Sequence, residues 1–131
     1  MISKTGLHAL KALSVLSLLP KGEYVGAATI AKEIGAPPNY LGKLLQTLIT
    51  EGLVESQKGK GGGFRMAKDP NKTSLYDVIE PIEQVSRWAG CFLGSKRCSS
   101  TSACSMHVKW EKTRDMYLNF LKTTHLSEIA E

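Results

Sequence analysis

Segment 37–52 constrains this chain more than any other stretch. Leu41, Leu44, Leu45, Leu48 and Ile49 recur at i, i+3, i+4, i+7 and i+8, the spacing of one buried stripe on an α-helix. Pro37-Pro38 sets the helix start, because proline is tolerated in a first turn whose N–H has no partner anyway. Gly52 stops it. The opposite face carries Asn39, Tyr40, Lys43, Gln46, Thr47 and Thr50, every one able to hydrogen-bond. Directly afterwards, residues 53–56 and 64–67 read as two short strands joined by Gly59-Lys60-Gly61-Gly62-Gly63.

A helix with one apolar stripe must bury it against other elements, and the preceding segment supplies them. Residues 3–19 read as a helix with Ala9, Ala12, Leu13, Leu16 and Leu19 on one face, extended by Leu7, Leu10 and Leu18; Pro20-Lys21-Gly22 ends it. A short helix follows over 27–34, with Ile30, Ala31 and Ile34 inward and Gly35 as its stop. Three helices and a glycine-rich hairpin make a winged helix-turn-helix, so the expected fold is mainly α.

That arrangement suits duplex DNA. A helix fits the major groove, and a basic hairpin reaches phosphates or the adjacent minor groove. Asn39 and Gln46 pair bidentately with adenine, Lys43 contacts guanine, and Tyr40 or Thr47 reaches phosphate or a thymine methyl. Between Gln57 and Lys68 the chain has Lys58, Lys60, Arg65 and Lys68 and no acid, within an overall formal charge of +5. Lys58, Lys60 and Arg65 are therefore expected to neutralise phosphates, with Gly61 and Gly62 bringing the wing backbone close. A nucleotide-binding loop does not fit. Gly59-Lys60 is followed by Gly61 rather than Ser or Thr, and Phe64 stands where G-x-G-x-x-G needs its third glycine.

Beyond Asp69-Pro70-Asn71, Ser74 caps a helix expected to run to about residue 85, with Leu75, Val78, Ile79 and Ile82 inward. Pro81 kinks or shortens it. The last long helix spans about 106–121, with Trp110, Thr113, Tyr117, Phe120 and Leu121 as its apolar stripe. The chain of 131 residues suits one compact domain, with a winged-helix DNA-binding region over 1–70 and, over 71–131, the cysteine loop and the helices on either side of it.

All three cysteines fall between these last two helices, as Cys91-x6-Cys98-x5-Cys104, with His107 after x2. Three thiols and an imidazole so close together read as one metal or iron–sulfur site. An odd cysteine number argues against a disulfide framework. Zinc also takes a Cys₃His set, and free thiols beside Lys96 and Arg97 suit disulfide exchange. His107 also reads as an ordinary first-turn helix residue, and His8 as a packed or interface histidine.

No apolar run approaches the roughly 20 residues that span a bilayer. Lys4 ahead of an apolar stretch and Val25-Gly26-Ala27 mimic a signal peptide, but His8 and Lys11 interrupt that stretch. A cytoplasmic protein is expected. Paired carboxylates, a Ser-His-Asp pattern and a metal-hydrolase motif are all missing from the sequence, so catalysis has little support.

The chain resembles the winged-helix iron–sulfur transcription regulators that include IscR and NsrR. The resemblance rests on Pro38-Asn39-Tyr40-Leu41, Glu51-Gly52-Leu53-Val54, the wing from Lys58 to Phe64, the three cysteines and Leu126-Ser127-Glu128-Ile129. It implies a homodimer with crossing C-terminal helices, bound to a near-palindromic operator and acting as a repressor sooner than an activator. It further implies a 2Fe–2S or 4Fe–4S cluster on Cys91, Cys98 and Cys104, with His107 matching the imidazole ligand of the 2Fe–2S type. The first cysteine gap is x6 where those regulators usually have x5. The acidic N-terminal ligand of the 4Fe–4S type is replaced by Gly6-Leu7-His8. Either His107 is the fourth ligand, or His8 reaches across, or a small molecule fills that place. The rival functions are a zinc or thiol regulator working through a protein partner, and an iron–sulfur carrier subunit.

Overall fold

The computed structural model describes residues 2–89, 92 and 106–130. Cys91, Cys98 and Cys104 lie outside the described residues.

Helix α1 (Lys4–Ser17) begins where the Ser3 hydroxyl accepts the Gly6 N–H at 3.0 Å, a side-chain cap for an otherwise orphan donor. Its buried face is Gly6, His8, Ala9, Leu10, Ala12, Leu13 and Leu16. Leu7 and Leu18, expected on that face, are instead 44% and 55% exposed. Leu7 stands about 200° round the helix from Ala9, and Leu18 is already the C-cap.

Helix α2 (Ala27–Ile34) ends at Gly35 in the left-handed region (φ 70°), and Ala36 N–H bonds back to Ala31 O at 2.9 Å. Helix α3 (Pro38–Thr50) buries Leu41, Leu44, Leu45 and Leu48, with Ile49 half-buried. It lies against α1 and α2, so the stripe read from the sequence is the centre of the core.

Strands β1 (Val54–Gln57) and β2 (Gly63–Met66) pair antiparallel, with Glu55 opposite Arg65 and Ser56 opposite Phe64. Val25 adds a single-residue third strand: its N–H reaches Phe64 O at 3.0 Å and its carbonyl accepts Phe64 N–H at 2.8 Å. That contact explains Gly63, and the close approach of Gln57 O explains Gly62. A Cβ on Gly63 would stand 2.5 Å from Val25 O, and one on Gly62 would stand 2.2 Å from Gln57 O. Only hydrogen fits at either place.

Helix α4 (Leu75–Glu83) opens on a capping box between Ser74 and Asp77. It contains Pro81 and stops at Glu83, short of the expected residue 85, because Gln84 turns to φ 52°. A 3₁₀ turn (Val85–Ala89) leads on toward the cysteine segment. Helix α5 (His107–Thr123) returns the chain to the core, and short α6 (Leu126–Ile129) docks on α1. Two backbone bonds hold that return, Leu75 N–H to Thr124 O and Leu126 N–H to Thr73 O, both 2.9 Å. Leu121 and Leu126 are fully buried.

Candidate nucleic-acid interface

Burial of the leucine stripe leaves the other side of α3 no choice but to face outward. Asn39, Lys43, Gln46, Thr47 and Thr50 are all exposed, and Tyr40 is half-buried at the head of the helix. The two threonines spend their hydroxyl hydrogens on their own helix: Thr47 Oγ1 donates to Lys43 O at 3.3 Å, and Thr50 Oγ1 to Gln46 O at 3.1 Å. Thr47 thus presents its methyl and its oxygen lone pairs. Among the described residues the side-chain donors of Asn39, Lys43 and Gln46 have no partner, which leaves them for one outside.

The wing divides its cations. Lys58 and Lys60 are exposed at the tip beside Gly61 and Gly62. Arg65 lies further back and pairs through Nε with Glu55, its cross-strand neighbour, while its guanidinium lies 4.5 Å from the centre of the Tyr24 ring. The hydrogen bond to Glu55 raises the Arg65 pKa, outweighing the lowering by burial. Part of its charge is already balanced by Glu55 through Nε, so Arg65 braces the hairpin to the loop before α2 as well as offering its Nη groups outward. The pairing was foreseeable once the hairpin register was known, since residues directly opposite on one face meet.

His107 opens α5 and is 8% exposed, with Nε2 2.9 Å from Glu111 Oε2 one turn on. A carboxylate on one ring nitrogen is the usual device for fixing a metal-binding imidazole. A metal taken through Nε2 would have to displace Glu111. Among the described residues no three His, Cys, Asp or Glu side chains come together to hold a metal. The donor set expected from the sequence is Cys91, Cys98 and Cys104 with His107, and its three cysteines fall outside the described residues. His8 faces Tyr40 and the α1–α3 junction, with Nδ1 3.1 Å from Tyr40 Oη.

The helices before and after the cysteine segment carry polar contacts that the sequence pattern does not show. Glu80 accepts from Ser86 N–H at 3.0 Å and Ser86 Oγ at 2.5 Å. Burial pushes the Glu80 carboxyl up, but the Ser86 bonds, Tyr76 and the Lys122 charge outweigh it, and its pKa is lowered. Lys122 Nζ sits 4.9 Å over the Tyr76 ring, which ties α5 to α4. Glu83 accepts the Ser3 N–H with one oxygen, while the other is buried with no hydrogen-bond partner among the described residues. Burial, and then the nearby Glu83, raise the Tyr117 pKa. These contacts join residues far apart in sequence, and periodicity carries no trace of them.

A reading helix with an exposed polar face, a short helix before it and a glycine-tipped basic wing define a winged helix-turn-helix DNA-binding protein. The comparisons narrow the class. A family model described as "Rrf2: Iron-dependent Transcriptional regulator" matches residues 2–131, and the chain belongs to that family. An HTH-type transcriptional regulator of Aquifex aeolicus is 33% identical over 129 residues, covering 97% of this chain and 89% of the relative. The HTH-type regulator YwgB of Bacillus subtilis is 29% identical over 130 residues, covering 98% and 83%. Among solved structures, CymR, titled the global cysteine regulator of B. subtilis, superposes with a TM-score of 0.82 at 22% identity over 99% of this chain and 95% of its own. T. potens IscR gives 0.75 at 24% identity, over 98% and 85%. These two show the fold. The family and its named relatives make the chain a transcriptional regulator and not an enzyme. Among the described residues no helix is long and apolar enough to cross a membrane.

Proposed function

We propose that this chain is a homodimeric, cytoplasmic, sequence-specific DNA-binding regulator whose affinity for its operator depends on an iron–sulfur cluster, and that it represses sooner than activates. The observation that carries the DNA half is the exposed face of α3, where Asn39, Lys43 and Gln46 stand outward beside Lys58 and Lys60. Residues 1–70 read the DNA and residues 71–131 hold the cluster and the second subunit. In a two-fold dimer the two α3 helices meet half-sites one DNA turn apart, about 34 Å.

The support for the second subunit is α5. Only His107 and Leu121 of this helix are buried, and Val108, Met116 and Phe120 remain exposed. An apolar row of this kind suits a copy of itself across a two-fold axis.

Cys91, Cys98 and Cys104 fit a 2Fe–2S or 4Fe–4S cluster, with His107 as fourth ligand of the first kind. Bound there, the cluster supplies a centre that reacts with oxidants and nitric oxide. The chain's own part is mechanical. The Glu80–Ser86 contact fixes the turn that precedes the cysteine segment, and α5 begins directly after it. Helix α4 lies on α1, and α1 lies on α2 and α3. A shift at either end of that segment therefore reaches the reading helix through packed elements, and a coupling of about 1–3 kcal/mol changes operator affinity 5- to 150-fold.

Protein purified without oxygen should be coloured, contain iron and sulfide, and protect a two-fold DNA site that shortens or vanishes as salt rises. Cys98→Ser should lose iron and colour and keep its fold. A colourless, zinc-loaded wild type sinks the cluster, and a coloured protein with no protected site leaves only a carrier.

A further inference from the structure

One side-chain pair ties the head of α3 to α1. His8 is 9% exposed, and its ring meets Tyr40 edge to face, with centroids 5.4 Å apart, planes at 69° and Nδ1 3.1 Å from the phenol oxygen. Lys4, Thr5 and Pro37 line the shallow hollow around the pair. Nearby buried positions of α1 are Ala9, Leu10, Ala12 and Leu13. A histidine among them is costly to bury unless its polar atoms are used. Its hydrogen bond goes to a side chain on the same edge of α3 as Lys43 and Thr47, at i, i+3 and i+7.

The direction of that bond decides what Tyr40 can offer. A phenol has one hydrogen and two lone pairs. If Tyr40 donates to Nδ1, only lone pairs face the duplex, and they repel a phosphate oxygen. If Nδ1–H donates to Tyr40, the phenol hydrogen is released for that oxygen. An anionic backbone selects the second arrangement.

We propose that His8 is a positioning residue for DNA recognition: by donating Nδ1–H to Tyr40 Oη it fixes the phenol at the head of α3 and turns its O–H toward a phosphate of the duplex. This rests on the reading of α3 as the DNA-reading helix. Charge-assisted hydrogen bonds of this kind are strong and directional, so a fixed donor matters more than a mobile one.

The test is a double-mutant cycle read by fluorescence anisotropy, on a duplex that the wild-type protein enriches from a random pool. Tyr40→Phe should weaken binding about tenfold. His8→Phe should weaken it as much, and the double variant no more than either alone. His8→Asn, whose amide nitrogen stands about where Nδ1 does, should stay within about threefold of wild type. Binding by His8→Phe within twofold of wild type, or strictly multiplicative losses, overturns the proposal while DNA binding stands. A wild type that enriches no duplex overturns the DNA reading, and this proposal with it, before any variant is made. The ¹⁵N shifts of the His8 ring supply a readout independent of variants. A protonated Nδ1 in the complex is expected, and a ring carrying its proton only on Nε2 overturns the assignment.

Discussion

The helical head around α1, α3 and α4 and the α5 arm bury their apolar residues in different ways. In the head, α1, α3 and α4 close a core in which Leu13, Leu41, Leu45, Leu48 and Ile79 are fully buried within one chain. In the arm, the 17 residues of α5 bury only His107 and Leu121, and Met116 is 75% exposed. Among the described residues, one chain therefore closes the core of the head and leaves most of α5 exposed. Effectors act where structure is incomplete, because an element already over-determined by its own packing has little left to shift.

Three measurements test that contrast, the strongest first. Leu45→Ala removes a fully buried side chain and should cost about 2–5 kcal/mol of stability, a large share of a total of about 5–15 kcal/mol. Urea unfolding followed by circular dichroism measures it. Met116→Ala alongside should stay within about 0.5 kcal/mol for the separated subunit; a loss equal to that of Leu45→Ala would show that the arm is as closed as the head. Phe120→Asp places a charge on the exposed row of α5. It should raise the dimer dissociation constant at least about tenfold while the head keeps its circular dichroism. Sedimentation reads the first quantity, and a dimer untouched by the charge would move the interface elsewhere.

The smallest effect concerns the joint between head and arm. Glu80 has a lowered pKa in the folded chain, so its contribution is complete above the unfolded value of 4.5 and is lost as pH falls through the lowered folded-state value. Ser86→Ala removes one of the bonds that lower it. At neutral pH the cost should be no more than about 0.5 kcal/mol, given the exposure of the pair. Well below pH 4.5 the variant and wild type should unfold at the same urea concentration. A difference that persisted there would mean that Ser86 acts other than through the ionised carboxylate.

How far the sequence could be read follows the same division. The stripe of α3, the cap at Ser74, and the stops at Gly35 and Gly52 were legible because each depends on residues within a turn or two, whereas Ser3 reads only as the start of α1 and its capping bond comes from the structure. The wing was legible through its glycines, although Val25, which makes Gly63 necessary, is far from it in the chain. Leu7 and Leu18 were misplaced, because an apolar residue signals burial only if it falls on the face the helix actually presents. Arg65 was expected to meet phosphate from its charge alone, and Glu55 and Tyr24 are what give that charge a partner within the fold. The docking of α6 on α1 escaped periodicity altogether, since four residues are too few to show a pattern.

Hydrophobic spacing, proline and glycine are enough to specify the winged helix and its outward face, since they act locally and need no partner to be read. The sequence by itself also determined that three thiols and an imidazole share one segment. Tertiary structure alone decided which polar side chains are already engaged: Arg65 with Glu55, His107 with Glu111, His8 with Tyr40. The physical reason is distance along the chain. Local conformation is set by neighbours in sequence, whereas the availability of a charge or a hydrogen-bond donor is set by neighbours in space.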